Sequence, residues 1–285
     1  MALKGGNAVI IAPSPAGAET TRRTVELMRA ELKKSGHPED IVQILPPPVT
    51  KAMTEELIRQ ADLAVVTGSQ DNVRRAMQSG TVTIGVGAGN VPVIIDSTAD
   101  LDDAAQKICA SKIFDNSTSC SSENAIVILD DVYEDAIAAL ERAGGWRCDA
   151  TEHKNVNDTL WIGGKLNRHI IAKDAAVLAE AMKLRENAKK AKFFMVEETS
   201  VGGKHSLADE KLSLVLTVYR AKNFDEAKRI VAAILEVTGK GHSTGIHTKN
   251  MEHARELAAA TDVVRVLVNQ AHTFGNGGGF NNALP

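Results

Sequence analysis

The chain has 285 residues, 44% of them apolar and 24% charged, with a formal net charge of -3. A single hydrophobic core stops growing near ~250 to 300 residues, so this length leaves room for two domains, and the near-neutral balance argues against a dedicated nucleic-acid binder or a membrane protein. No apolar run approaches the ~20 residues of a spanning helix, and the chain's start has neither the charged end nor the apolar block of a secretory signal, so a cytoplasmic protein is expected.

Cysteine usage points the same way. Cys109, Cys120 and Cys148 are odd in number, and no Cys/His cluster has zinc-ligand spacing, which fits a reduced compartment and no bound metal.

In chain order, the first third alternates short β-branched runs with amphipathic stretches, the pattern of a parallel sheet covered by helices. Residues 8–12 (AVIIA) read as a strand. The next segment reads as a helix, with Val25, Met28 and Leu32 on one face and Gly36 as its stop. Strands are expected at 41–45, 63–66 and 81–86, with helices at 50–61 and 71–79 between them. Four strands joined by right-handed crossovers are Rossmann-like in style.

After GVGAGNVPVIID (85–96) the texture changes. A helix from Leu101 to about Lys112 runs into a polar segment, FDNSTSCSSEN (114–124), where a tight strand turn would continue the alternation. A domain boundary is placed there, dividing the chain into 1–97 and 98–285. Strands are then expected at 125–129, 169–173, 193–196, 212–219, 243–248 and 263–268, with helices at 131–143, 174–190, 223–237 and 250–260. The stretch 146–167 reads as a surface loop with short helical pieces. The whole is α/β: a Rossmann-like domain followed by a second α/β domain.

Cys120 lies in a hydroxyl- and amide-rich turn just before an apolar strand, where a thiol is both fixed and partly accessible. On local chemistry it is either a nucleophile or a buried small residue. Cys109 shares a helix face with Leu101, Ala105 and Ile108, which reads as a packed, inert thiol, while Cys148 lies in the polar loop and is reactive only by exposure. The GVGAGN segment lacks the Gly-x-Gly-x-x-Gly spacing of a dinucleotide loop, so Gly87 and Gly89 read first as a side-chain-free crossing and second as phosphate contacts. Thr67, Gly68 and Ser69 close a strand and open a helix, where free N–H groups and the helix dipole favour a phosphate. GKGHST (239–244) does not have the order of a phosphate-gripping loop. His242 is either structural or an acid/base group, and Glu210 either a solvated strand-end carboxylate or a ligand contact.

Together these segments resemble the aldehyde dehydrogenase superfamily, and within it the CoA-acylating branch. NAVIIAPSP, GVGAGNVPVIID, FDNSTSCSSEN, ADEKLS, GHST and the Gly-rich segment before Phe280 follow the branch's order along almost the whole chain. The Cys-Ser-Ser-Glu-Asn string and the GGGFNNALP ending are most similar to acylating sulfoacetaldehyde dehydrogenases. The resemblance implies an aldehyde dehydrogenase-like fold, with 1–97 as part of the NAD(P)-binding domain and 98–285 as the thiol-bearing catalytic domain. It implies Cys120 as the nucleophile and Glu210 as the carboxylate on the nicotinamide ribose hydroxyls. Pro13, Ser14, Thr67, Gly68, Ser69, Gly87 and Gly89 fall on cofactor-bordering turns.

Where hydrolytic members have a glutamate that activates water, this chain has Val86. An acyl-thioester on Cys120 would then persist until coenzyme A arrives, with His242 as the candidate assistant for the CoA thiol. At the position where many members hold the adenosine ribose with a lysine stands Ala12, followed by Pro13 and Ser14, and no acidic residue there opposes a 2′-phosphate, so NAD and NADP are both admissible. A sulfonate on the aldehyde would need donors such as Thr118, Ser119, Ser121 and the backbone of 276–279. Family members extend beyond both ends, and the segment with their oxyanion-hole asparagine would precede Met1; a homo-oligomer is expected of the full-length form. The alternatives are a hydrolytic aldehyde dehydrogenase, an acyl-phosphate reductase of the same superfamily, and an inactive nucleotide-binding fragment.

Overall fold

The computed structural model describes residues 2–68, 70–86 and 89–277. The chain divides into two compact units, Met1–Val86 and Gly87–Pro285.

In the first unit the expected alternation is present: β1 (Val9–Ile11), α1 (Ala18–Lys34), β2 (Val42–Ile44), α2 (Lys51–Gln60), β3 (Leu63–Val66), α3 (Gln70–Gln78) and β4 (Val82–Gly85). Thr50 caps α2 by accepting a hydrogen bond from the Met53 N–H at 3.2 Å, which satisfies one of the free amides at the helix start. The strands differ from expectation in their pairing. β1 pairs with β2 and β3 with β4, both in parallel, giving two separate two-stranded sheets among the described residues in place of one four-stranded sheet. Alternate residues Leu63, Val65, Val82 and Ile84 are exposed, so among the described residues one face of the β3–β4 pair is left open.

The second unit is built on a seven-stranded, all-parallel sheet. Its strands are β5 (Pro92–Ile95), β6 (Ala125–Leu129), β7 (Gly145–Arg147), β10 (Phe193–Glu198), β11 (Val215–Ala221), β12 (Ser243–His247) and β13 (Arg265–Val268), in spatial order β13-β12-β5-β6-β11-β10-β7. A small antiparallel pair, β8 (Trp161–Ile162) and β9 (Lys165–Leu166), stands apart from it. The helices are α4 (Leu101–Ile113), α5 (Tyr133–Ala143), α6 (Ala150–Leu160), α7 (Ala175–Ala181), α8 (Phe224–Thr238), α9 (Met251–Ala260) and α10 (His272–Gly277).

The adjacent strands β5 and β6 are apolar and buried at every position because both faces are covered. Val93, Ile95, Ile126 and Ile128 point into one core cluster with Ile108, Ile137 and Leu140. Their alternates Ile94, Ala125, Val127 and Leu129 point into the other with Val231, Ile234 and Leu257.

Four details depart from the sequence reading. PVII was not read as a strand, yet as β5 it lies between β12 and β6, within the unit that runs from Gly87. The stretch 146–167 is not a loop: Asp149 opens α6 with a capping box, its carboxylate accepting from the Thr151 and Glu152 amides while Glu152 accepts from the Asp149 N–H. Residues 169–173 form turns and not a strand, with Asn167 accepting from the His169 and Ile170 amides while Ile170 packs into the core. The helix expected over 174–190 stops at Ala181 and resumes only as a 3-10 turn at Glu186–Lys190.

No helix among the described residues is long and apolar enough to cross a membrane.

Candidate active site

Cys120 is carried by the loop between α4 and β6. Asp100 caps α4 by accepting from the Asp103 amide, and after Ile113 the chain turns through three consecutive left-handed residues, Asp115, Asn116 and Ser117 (φ 50°, 49° and 61°). Each costs on the order of 1 kcal/mol for an L-residue, somewhat less for Asp and Asn, so the loop must be held from outside. It is. The Asn116 amide donates to Ala172 O at 3.2 Å and Asp174 Oδ1 at 2.8 Å, Ser117 Oγ donates to Ser122 Oγ at 2.9 Å, and Lys112 Nζ donates to Glu123 O at 2.9 Å. The outcome is an exposed thiol on a fixed loop, which is where strained backbone is found in functional sites.

Under the loop runs a buried polar network. Asn124 Nδ2 donates to Asn90 Oδ1 at 2.6 Å and Asp209 O at 2.9 Å, and Lys211 Nζ donates to Leu207 O at 2.7 Å and Asn124 O at 3.1 Å. Burial pushes Lys112 down to about 7 and Lys211 well below the ordinary lysine value, and pushes the Glu123 carboxyl up to about 7. These groups tie the starts of β5, β6 and β11 together beneath a cavity lined by Asn90, Lys112, Ser119, Cys120, Asn124 and Glu210.

His242 closes the site from the turn between α8 and β12. Its Nε2 stands 3.4 Å from Cys120 Sγ, across 122 residues of sequence. Gly89 makes room for it, since a Cβ at that position would lie 2.2 Å from the His242 Cβ. Burial, with a smaller contribution from the Arg265 charge, holds His242 below the usual histidine value. Burial and the Glu210 charge push the Cys120 thiol up, against a smaller downward pull from its own backbone N–H. At rest the pair is therefore a neutral thiol facing a neutral imidazole, an arrangement in which the proton can pass to Nε2 as sulfur attacks an electrophile.

All of this gathers at the N-terminal ends of the parallel strands: Asn90 before β5, Cys120 before β6, Glu210 before β11, His242 before β12. The rule for open α/β sheets points to the opposite edge.

The other sequence-predicted residues fall as follows. Glu210 is half-buried beside the thiol, with burial and neighbouring Asp209 raising its carboxyl to about 7; its amide is bonded, while no donor meets its carboxylate among the described residues. Gly89 pairs with Lys240 in an isolated bridge within the second unit, a close approach to His242 where a crossing between domains was expected. Gly87 and Ser69 lie outside the described residues. In the first unit, exposed Thr67 and Gly68 (φ 110°) follow β3 and precede α3, Pro13 is buried, and Ser14 Oγ accepts from the Gly17 amide at 3.2 Å. Thr118 and Ser119 are drawn into local bonds, to Asp115 O and to Ser121 Oγ. Cys109 is buried with its thiol donating to Ala143 O, and burial beside Glu152 and Asp149 pushes Cys148 up to about 12.

Sequence reasoning missed Asn90, Lys112, Asn124, Lys211, Ser243 and His272, and took Asn276 only for its backbone. Lys112 did leave a signal, lying on the same helical face as Ala105 and Ile108, where a lysine needs a buried acceptor. Asn90 and Asn124 left none, because each acts through a partner distant in sequence.

The pattern of the aldehyde dehydrogenase family matches residues 1–158, and the chain belongs to that family. It is 48% identical over its full length to an acylating sulfoacetaldehyde dehydrogenase of Cupriavidus necator, covering 58% of that protein. Over 99% of its length it is 40% identical to an acylating sulfoacetaldehyde dehydrogenase of Bilophila wadsworthia, covering 62% of it. Among solved structures, an acetylating aldehyde dehydrogenase from Geobacillus thermoglucosidasius matches 96% of the chain with a TM-score of 0.90 at 32% identity, and the chain covers 60% of it. The chain thus spans about three fifths of the length of the relatives it matches.

Proposed function

We propose that this chain carries the thiol chemistry of a CoA-acylating aldehyde dehydrogenase acting on a small aldehyde, with sulfoacetaldehyde as the first substrate to test. The observation that carries the proposal is the 3.4 Å approach of His242 Nε2 to the exposed Cys120 thiol. The names of the two relatives support the acylating reaction and the sulfonated substrate.

In this reading Cys120 loses its proton to His242 Nε2 and its sulfur adds to the aldehyde carbon, giving a thiohemiacetal. The Cys120 backbone N–H supplies half of an oxyanion site for the tetrahedral species. Bound NAD or NADP supplies the hydride acceptor that takes this adduct to the acyl-thioester. The adduct oxygen takes the proton from His242 as the thiohemiacetal forms and gives it to solvent as the hydride leaves, so His242 is neutral again when it takes the proton of the CoA thiol. The CoA sulfur displaces the Cys120 thiolate, which recovers that proton as acyl-CoA leaves. Val86 at the position of the hydrolytic glutamate supports CoA over water as the final nucleophile.

Glu210 fits the cofactor: a half-buried carboxylate that meets no donor among the described residues suits the paired hydroxyls of a ribose. Gly87 and Gly89, and in the first unit Pro13, Ser14, Thr67, Gly68 and Ser69, are the remaining candidates for contacts to NAD(P). A cytoplasmic location and a homo-oligomeric full-length form belong to the same proposal.

The test is product analysis. The polypeptide is incubated with sulfoacetaldehyde, NAD or NADP, with and without CoA; formation of acyl-CoA and reduced cofactor only when CoA is present supports the proposal. Free acid formed at equal rates with and without CoA replaces it with a hydrolytic enzyme. Saturable NAD(P) binding without selective Cys120 modification by chloroacetaldehyde replaces it with a nucleotide-binding fragment.

A further inference from the structure

Behind His242 lies a second layer of polar groups that the reaction does not touch. Ser243, buried at 1% exposure, places its Oγ 3.0 Å from His242 Nδ1, 3.4 Å from His272 Nδ1 and 3.1 Å from Asn276 Nδ2. One hydroxyl therefore meets three nitrogens, and its bonding capacity is limited to one donated and two accepted hydrogen bonds. Asn276 Nδ2 is always a donor and uses one acceptor site. Of the two histidines, one must then donate from Nδ1 and the other must accept there. The two rings cannot choose their tautomers independently.

The thiol decides which way the set falls. With burial pushing the Cys120 thiol up and His242 down, the S–H can donate to a bare His242 Nε2 at 3.4 Å, the pairing that sets the base on the proton it must take; the reverse pairing, an Nε2–H on sulfur, would leave no lone pair facing the thiol. His242 then carries its proton on Nδ1 and donates it to Ser243. The Ser243 hydroxyl in turn donates to His272 Nδ1, leaving the His272 proton on Nε2. Burial holds His272 neutral, far below the ordinary histidine value, so it stays an acceptor across the working pH range.

We infer that Ser243 is a positioning residue that locks His242 and His272 in complementary tautomers, keeping the His242 Nε2 lone pair on the Cys120 sulfur. When the Cys120 S–H bond breaks and the proton arrives at Nε2, the imidazolium still donates from Nδ1 to Ser243, so the bond made at rest becomes a charge-assisted one. Nothing in the layer needs to reorient during the transfer. His272 is itself held by its backbone N–H, which donates to Glu123 Oε1 at 3.0 Å, and by Gly245, where a Cβ would lie 2.1 Å from His272 Nε2. The other titratable or charged groups facing this pair are Arg265 from β13, Glu210 from the segment before β11, Glu123 from the thiol loop and His247 from β12.

The inference rests on His242 acting as the base for Cys120, and the test separates the two. With histidine labelled by nitrogen-15, long-range proton–nitrogen spectra report the tautomer of each ring, and His242→Gln and His272→Gln assign the signals. The expected result at neutral pH is an Nδ1–H tautomer for His242 and Nε2–H for His272, with both patterns lost in Ser243→Ala and kept in Ser243→Thr. In parallel, alkylation of Cys120 by iodoacetamide is followed from pH 6 to pH 10. At neutral pH Ser243→Ala is expected to slow it about tenfold, the scale of one hydrogen bond to a charged group, with Ser243→Thr restoring the rate. A His242 Nε2–H tautomer in the unsubstituted chain overturns the inference. So does an unaltered alkylation profile in Ser243→Ala when His242→Gln loses it. If His242→Gln itself leaves the profile intact, the assignment of His242 as base falls, and the catalytic meaning of its tautomer falls with it.

Discussion

Gly89 backs onto His242 so closely that a side chain at 89 and the imidazole facing Cys120 cannot occupy their places together. Gly89→Ala is expected to displace His242, slowing Cys120 alkylation at neutral pH on the order of tenfold. It should also lower unfolding stability by ~1–3 kcal/mol, the usual cost of overpacking. Rate measurement and chemical denaturation of the same preparation check both. A full rate in the alanine variant would show that the ring's position is not what sets thiol reactivity.

The three thiols are expected to react in a fixed order. Cys120 is exposed, Cys109 is buried with its S–H on Ala143 O, and Cys148 is pushed up to about 12. Limiting iodoacetamide at pH 8 should therefore modify Cys120 alone, as read by peptide mass mapping, and Cys120→Ser should leave the chain unmodified. Cys148 labelled ahead of Cys120 would contradict the ranking.

Glu210 raises the Cys120 thiol through its charge. Removing the charge in Glu210→Gln should move the thiolate titration, followed by absorbance at 240 nm, to lower pH. Because the Glu210 carboxyl itself titrates at about 7, the two proteins should agree below that pH and separate above it. The same substitution should weaken NAD(P) binding about tenfold if the carboxylate holds ribose hydroxyls.

Glu123 gives a stability signature with a definite sign. Its carboxyl is raised from 4.5 to about 7 in the folded chain, so its contribution is fully present below about pH 4.5 and is lost as pH rises through about 7. Relative to Glu123→Gln, the unsubstituted chain should lose on the order of 3 kcal/mol across that window, the free-energy equivalent of the shift. Denaturation series at pH 4.5, 6 and 8 measure it, and a pH-independent difference between the two proteins would mean that Glu123 is charged in the fold.

Much of the site was legible because Cys120 announces itself locally: a thiol in a run of hydroxyls and amides, just ahead of an all-apolar strand. Glu210 and His242 were visible as candidates, each with a bland reading that local sequence could not remove. The capping box at Asp149 and Glu152 is equally local, but the polar residues around it mask the start of α6. Pro92–Ile95 went unread as a strand for a different reason: only four residues long and opened by proline, it owes its form to the strands on either side.

By itself the sequence determined the alternation of elements, the two apolar faces of the central strands and the chemical character of the thiol loop, since all of these follow from periodicity and neighbours within a few residues. Tertiary structure alone decided which end of the parallel sheet carries the chemistry, which imidazole meets the sulfur, and why residue 89 has no side chain. Those outcomes depend on contacts between segments more than a hundred residues apart, where only packing fixes distance. Ser243 depends on packing over a shorter span: its role arises when α10 brings His272 and Asn276, about thirty residues on, to the hydroxyl that already faces the neighbouring His242.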